Sequence, residues 1–187
     1  MIRQAKEQDF KELFPILEQI FDEMELATIA AIDDKDFYHL LEEGWHTKGY
    51  RYSLGRTLVA EEDGAVVGML TSYSAEDEDS IDSPLEQYYA EVGLPASTKI
   101  FTDREAQPNE WYIDSLAVAP AFQGHGIGGS LLDAAPELAR KNGYKKISLN
   151  VDQTNPGAKH LYVKKGFETL NEMTIGDHLY DHMIKNV

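Results

Sequence analysis

The stretch Gln123-Gly124-His125-Gly126-Ile127-Gly128-Gly129 constrains this chain more than any other feature. It follows a mostly apolar run, Glu110–Val118, that reads as a strand in the middle of a sheet. It precedes a helical pattern from about Gly128 to Asn142, with Ile127, Leu131, Leu132, Ala135, Leu138 and Ala139 on the inner side. Glycines at a strand-to-helix junction let the backbone approach a ligand closely. The first N–H groups of a helix have no partners within it and carry the positive end of its dipole. Together these features predict an anion site suited to a phosphate or pyrophosphate.

Two nucleotide motifs can be tested against this loop. A P-loop is absent, because no Gly-Lys-Ser/Thr occurs. Gly124, Gly126 and Gly129 do fit G-x-G-x-x-G, and Asp152, at the end of the next strand, suits a ribose hydroxyl. A dinucleotide fold, however, places its glycine turn directly at the strand end, whereas Ala119-Pro120-Ala121-Phe122-Gln123 intervenes here. The chain after Asp152 also holds only one helix and two strands, too little for the second half of a doubly wound sheet.

The remainder of the chain reads as one domain over residues 1–187. Residues 1–5 suggest a first strand, and Phe10, Leu13, Phe14, Leu17, Ile20, Phe21 and Met24 recur at helical spacing, with Pro15 expected to bend or delay that helix. A second helix is expected over Asp34–Glu43, stopped by Gly44. Arg56–Glu62 and Ala65–Tyr73 form a predicted hairpin about Asp63-Gly64, a turn whose two positions want positive φ. Lys146–Asp152 is the strand after the glycine helix. Asn155-Pro156 opens another helix, with Lys164 and Lys165 in its last turn and Gly166 ending it. Strands near Phe167–Thr174 and Asp177–Lys185 close the chain, and an exposed final strand would permit a homodimer. Residues 75–109 break the pattern. Seven acids and no base lie between Ala75 and Glu91, and the segment reads as a lid or substrate-specificity element.

Charge and composition restrict the partners. The chain has 33 acidic and 17 basic residues, a formal net charge of −16, so a nucleic acid backbone would be repelled. Cationic ligands would be attracted. Without cysteine, disulfides, thiolate metal sites and cysteine nucleophiles are excluded. The polar N-terminus does not read as a signal peptide, and no apolar run approaches a membrane span, which suggests a cytoplasmic protein with no membrane partner. His178 and His182 are four apart; in a strand that spacing spans about 13 Å, too far for one ion, so no metal site is expected.

Several blocks taken together resemble the GCN5-related N-acetyltransferases. Gln123, Gly126 and Gly128 meet that family's Gln/Arg-x-x-Gly-x-Gly/Ala signature. IDSLAVAP resembles its preceding strand, and Leu149, Val151, Asn155, Ala158, Leu161, Tyr162, Gly166 and Phe167 recur in its downstream order. The resemblance implies an α/β (α+β) fold with a mixed, mostly antiparallel sheet of about seven strands, flanked by helices, whose fourth and fifth strands splay apart. It implies acetyl-CoA as co-substrate, without a metal, and transfer of its acetyl group by direct attack of a primary amine in a ternary complex. Gln123, Gly124, His125, Gly126, Ile127, Gly128 and Gly129 would hold the pyrophosphate. Leu116, Ala117 and Val118 would meet the pantetheine and thioester, and Asn155 would bind the pantetheine arm or order its loop. Tyr162 would protonate the departing thiolate. An ammonium must lose a proton before it attacks. Asp114 is the favoured base because it lies nearer the expected thioester, with Glu110 on the same face and an acid of the 75–109 segment as further candidates. The acceptor would be a small-molecule or peptide amine, plausibly cationic. His125 stands where the family usually has Arg or Lys. A non-catalytic acetyl-CoA sensor and, more remotely, a dinucleotide oxidoreductase are the alternatives.

Overall fold

The computed structural model describes residues 1–24 and 26–187. One sheet carries β1 (Ile2–Gln4), β2 (Thr57–Glu62), β3 (Ala65–Ser74), β4 (Trp111–Val118), β5 (Lys146–Asp152), β6 (Glu168–Ile175) and β7 (His178–Asn186) in the order β1-β2-β3-β4-β5-β7-β6. Only β4 and β5 run parallel; the other neighbours are antiparallel. That arrangement rules out a doubly wound parallel sheet and with it the dinucleotide fold. Helices α1 (Phe10–Met24), α2 (Ala27–Ala30) and α3 (Asp34–His46) lie on one face, α4 (Ile127–Lys141) and α5 (Pro156–Lys164) on the other.

Each face has its own core. Leu13, Leu17 and Phe21 of α1 meet Leu40 and Trp45 of α3 and Leu85 and Tyr89 of the 75–109 segment. On the opposite face Leu131, Leu132 and Ala135 of α4 pack on Leu70, Ile113, Ile147, Leu149 and Met183. Each of these leucines stabilises the fold by about 1.5–3 kcal/mol through burial alone. Among the described residues no helix is long and apolar enough to cross a membrane.

Local signals set several elements. Asp63 and Gly64 both have positive φ, 49° and 86°, and close the β2–β3 hairpin. The Asn155 side chain accepts from the Ala158 N–H and starts α5. Three expectations need correction. Helix α3 runs through Gly44 to His46: a Cβ at Gly44 would lie 2.5 Å from the Tyr50 ring, so this glycine serves close packing rather than termination. Helix α1 continues through Pro15. The final strand β7 is flanked by β5 and β6, which leaves β6 as the edge.

The 75–109 segment is packed and bonded to the domain. It contains 3-10 helices at Ala75–Ser80 and Ser83–Val92, and Ile81, Leu85, Tyr89, Val92 and Ile100 are buried. All seven acids between Ala75 and Glu91 have partners. Glu76 accepts from Tyr144, Asp77 pairs with Arg56, Glu78 takes the N–H groups of Glu105 and Ala106, and Asp79 pairs with Arg104. Asp82 pairs with Arg51, Glu86 with Lys99 and Glu91 with His39. Glu76, Asp77, Asp82 and Glu91 thus tie the segment to the rest of the domain, while Glu78, Asp79 and Glu86 hold it to itself.

Candidate functional site

A bulge in β4 creates the site. Ser115 pairs with Thr71 and Ile113 with Ser72, which leaves Asp114 as the extra residue. Bulges bend and twist a strand. Here β4 and β5 pair only at Trp111–Ile147 and Tyr112–Ser148, and beyond that point they part. The expected gap between the fourth and fifth strands therefore opens from a vertex at Tyr112 and Ser148.

Backbone groups of β4 face this gap in a definite pattern. The Ala119 N–H donates to Val67, and antiparallel pairs alternate, so Ala117 also turns its backbone toward β3 while Leu116 and Val118 turn theirs into the gap. The Val118 carbonyl accepts instead from the Gln123 side chain, at 3.1 Å. Leu116 and Val118 thus turn backbone groups into the gap, whereas the backbone of Ala117 is committed to β3.

The glycine loop closes one mouth of the gap. After a 3-10 turn at Pro120–Phe122 the chain passes through Gly124 and Gly126, with φ of 78° and 82°, into α4. Among the described residues no protein acceptor takes the backbone N–H groups from Gly124 through Gly129. These donors, at the positive end of a 15-residue helix, can hold a diphosphate. The His125 side chain is exposed beside them. Gly68 of β3, which the sequence does not single out, gives α4 room, since a Cβ would lie 3.1 Å from Ile127.

Tyr162 flanks the gap from α5. Its ring packs edge-on against Phe167 at 6.2 Å. Burial, with a smaller effect from Glu23 of α1, pushes its hydroxyl up to about 12. Asn155 caps α5 at its start.

The two carboxylates expected as bases are both engaged. One Asp114 oxygen accepts from Arg51 and from Tyr73 and the other from Ser115. Its side chain is 4% exposed. Glu110 is buried against His182, whose Nε2 lies 3.0 Å from Oε2. Burial pushes Glu110 up, but the hydrogen bond with His182 opposes it, and the carboxyl is held below its usual range. Neither group lines the pockets described below: Asp114 is held by three donors and Glu110 by His182.

A third carboxylate is different. Glu105, from the 75–109 segment, is buried over the vertex, where its Oε2 accepts from the Tyr112 hydroxyl at 2.7 Å. Burial and the nearby Asp114 charge push it up to about 7, against the opposing pull of Arg51 and the Tyr112 hydrogen bond. Glu105 lines a 260 Å³ pocket with Glu23, Met24, Phe101, Asp103, Asp177, His178 and Tyr180. No Lys or Arg lines it. A larger cavity of 640 Å³, bounded by Trp45, Arg56, Trp111 and Tyr144, opens at the far end of the sheet and touches neither the loop nor the gap. Among the described residues no cluster of His and carboxylates is arranged for a metal ion. The sequence carries no local signal for Glu105; its position depends on contacts with Tyr112 and Asn150.

Comparison with known proteins adds an independent line. The model of the acetyltransferase (GNAT) family matches residues 17–167. The chain is similar to a crystal structure described as an acetyltransferase, with 41% identity, a TM-score of 0.92 and coverage of 100% of this chain and 99% of that one. It is also similar to an N-acetyltransferase from Staphylococcus aureus Mu50, with 30% identity, a TM-score of 0.83 and coverage of 99% and 100%. An uncharacterised N-acetyltransferase of Methanocaldococcus jannaschii is 41% identical over 56 residues, which are 30% of this chain and 25% of that protein.

Proposed function

Because this chain belongs to the acetyltransferase (GNAT) family, we propose that it transfers an acetyl group from acetyl-CoA to a primary amine by direct attack in a ternary complex. The observation that carries this reading is the gap between β4 and β5 with free N–H donors at the glycine loop; an acidic pocket ends on Glu105, which is bonded to Tyr112 at the vertex. Acetyl-CoA supplies the activated acyl group. Gln123 through Gly129 hold its diphosphate, and the backbone of Leu116 and Val118 binds along the arm.

Glu105 is the base in this reading, in place of Asp114 and Glu110. A base tuned near neutrality takes a proton from an ammonium more readily than a carboxylate saturated by donors. The Leu116 N–H, turned into the gap, stabilises the oxyanion that develops as the amine attacks. The Tyr162 hydroxyl stays protonated at neutral pH, so it is available to the departing sulfur. A thiol has a pKa of about 8.5, so full transfer from this phenol is uphill, and Tyr162 acts mainly as a hydrogen-bond donor to the thiolate. Asn155 orders the loop that opens α5. The acceptor is a cationic small molecule or peptide end, supported by the carboxylates of Glu23, Asp103, Glu105 and Asp177 and the aromatic walls of Phe101 and Tyr180.

Calorimetric titration with acetyl-CoA, with NAD as control, tests the cofactor, and a panel of amines tests the acceptor. Binding of acetyl-CoA alone with turnover of cationic amines is the expected result. Binding without turnover of any amine would favour a sensor. Turnover of only neutral or anionic amines would remove the cationic acceptor.

A further inference from the structure

His178 and His182 have no shared role in the reading above. His178 is exposed beside Asp152, at 2.8 Å. His182 is fully buried and bonded through both ring nitrogens. A hydrogen-bonded path runs from it to the pocket. His182 Nδ1 lies 2.7 Å from Asn150 Oδ1. Asn150 Nδ2 donates to the Glu105 carbonyl at 3.1 Å and to the Tyr112 hydroxyl at 3.2 Å, and that hydroxyl donates to the Glu105 carboxylate at 2.7 Å.

The donors along this path are fixed by chemistry. The Glu105 carbonyl can only accept, so the Asn150 amide nitrogen must face it and the amide oxygen must face His182. His182 Nδ1 is therefore a donor. Its Nε2 lies 3.0 Å from the Glu110 carboxylate. An amide whose oxygen lost its partner would be free to turn, and a turned amide would set its oxygen against the Glu105 carbonyl. We propose that His182 is a positioning residue: from β7 it locks the Asn150 amide, and through it holds Tyr112 and the Glu105 carboxylate over the vertex of the gap. This rests on the reading of Glu105 as the base. His182 touches neither pocket nor gap and acts only through Asn150.

The test exploits the two nitrogens. In His182→Asn the side-chain amide can replace the Nδ1 donor, whereas in His182→Gln it can reach only the Nε2 position beside Glu110. The readout is the carboxyl titration of Glu105 followed by carbon-13 NMR of the intact protein, assigned with Glu105→Gln. The charged groups facing Glu105 are Arg51, Asp114 of β4, Glu78 and Asp103 of the 75–109 segment, Glu23 of α1, Asp177 of the β6–β7 turn and His178 at the start of β7. None of them is altered in these variants. Loss of the Asn150 donor weakens Tyr112 as a donor to Glu105, so the midpoint in His182→Gln should rise by about 0.7 pH unit, the size of one neutral hydrogen bond. In His182→Asn it should stay near the wild-type value.

Equal midpoints in all three proteins would overturn the positioning role, as would equal shifts in both variants. If His182→Gln does not fold, Tyr112→Phe carries the test: it should raise the midpoint, and an unmoved midpoint would overturn the path. Activity of Glu105→Gln separates the two claims. If that variant loses turnover while the His182 variants titrate alike, only positioning falls. If it keeps turnover, the base reading falls, and the positioning role for the reaction falls with it.

Discussion

Glu105 is costly to keep ionised, and that cost makes a double prediction. Its folded pKa of about 7 lies above the roughly 4.3 of an unfolded glutamate. Between these values the native state binds more protons than the unfolded state, so stability falls as pH rises through the window, and the full cost of about 4 kcal/mol is present well above pH 7. Glu105→Gln removes the charge but keeps an acceptor for Tyr112. Its melting temperature should exceed the wild type by several degrees at pH 8 and match it near pH 4. Its turnover should fall about 100-fold or more, with acetyl-CoA affinity unchanged. A variant that is neither more stable at pH 8 nor slower would mean that Glu105 is neutral throughout and takes no proton. Wild-type kcat/KM should rise with pH through about 7 as Glu105 ionises. Tyr162→Phe removes one hydroxyl from a half-buried ring that packs on Phe167. Turnover should drop more than acetyl-CoA affinity, and unchanged turnover would take Tyr162 out of the reaction.

Among the elements, the attachment of the 75–109 segment matters most, because it brings Glu105 and Phe101 to the pocket. Arg51 is its main tie. This buried guanidinium bonds Asp82 of the segment and Asp114 of β4, and lies 4.3 Å from the Phe101 ring centroid. Arg51→Met leaves Asp114 buried without its counter-ion and should cost about 3–5 kcal/mol. Adding Asp114→Asn should recover part of that loss. Urea titration measures both values, and proteolysis of the single variant should begin within 75–109. Intact resistance to protease would mean that the segment is held by its apolar contacts alone. What the sequence makes legible divides along the same line. The hairpin at Asp63-Gly64, the Asn155 cap and the strand–glycine–helix junction are each set by residues a few positions apart, so local chemistry predicts them. The bulge at Asp114, the packing of Gly44 on Tyr50, and the bonds of Glu105 and His182 arise from contacts far apart in the chain; His182 and Glu110 are separated by 72 positions. Alternation correctly puts Asp114 and Glu110 on one face. It cannot say that Arg51 and His182 wait there to occupy them.

At the scale of the whole molecule, one field acts on two ligands of opposite sign. The formal net charge is −16, and the pocket adds carboxylates at Glu23, Asp103 and Asp177. At low ionic strength such a field concentrates a cationic amine at the surface and opposes the approach of a polyanion such as acetyl-CoA. The N–H donors from Gly124 to Gly129 act over a short range and are screened little. The field between exposed charges extends about one Debye length, roughly 30 Å at 0.01 M salt and 8 Å at 0.15 M. Raising sodium chloride from about 10 to 300 mM should therefore raise KM for a dicationic amine several-fold and lower KM for acetyl-CoA, with little change in kcat. Steady-state kinetics with each substrate varied in turn reads both slopes. If both constants rise, the loop's own contacts with the diphosphate outweigh the molecular field. If neither moves, the acidity serves solubility and anchoring, as it does in the 75–91 stretch, and the pocket carboxylates recognise their amine only at contact.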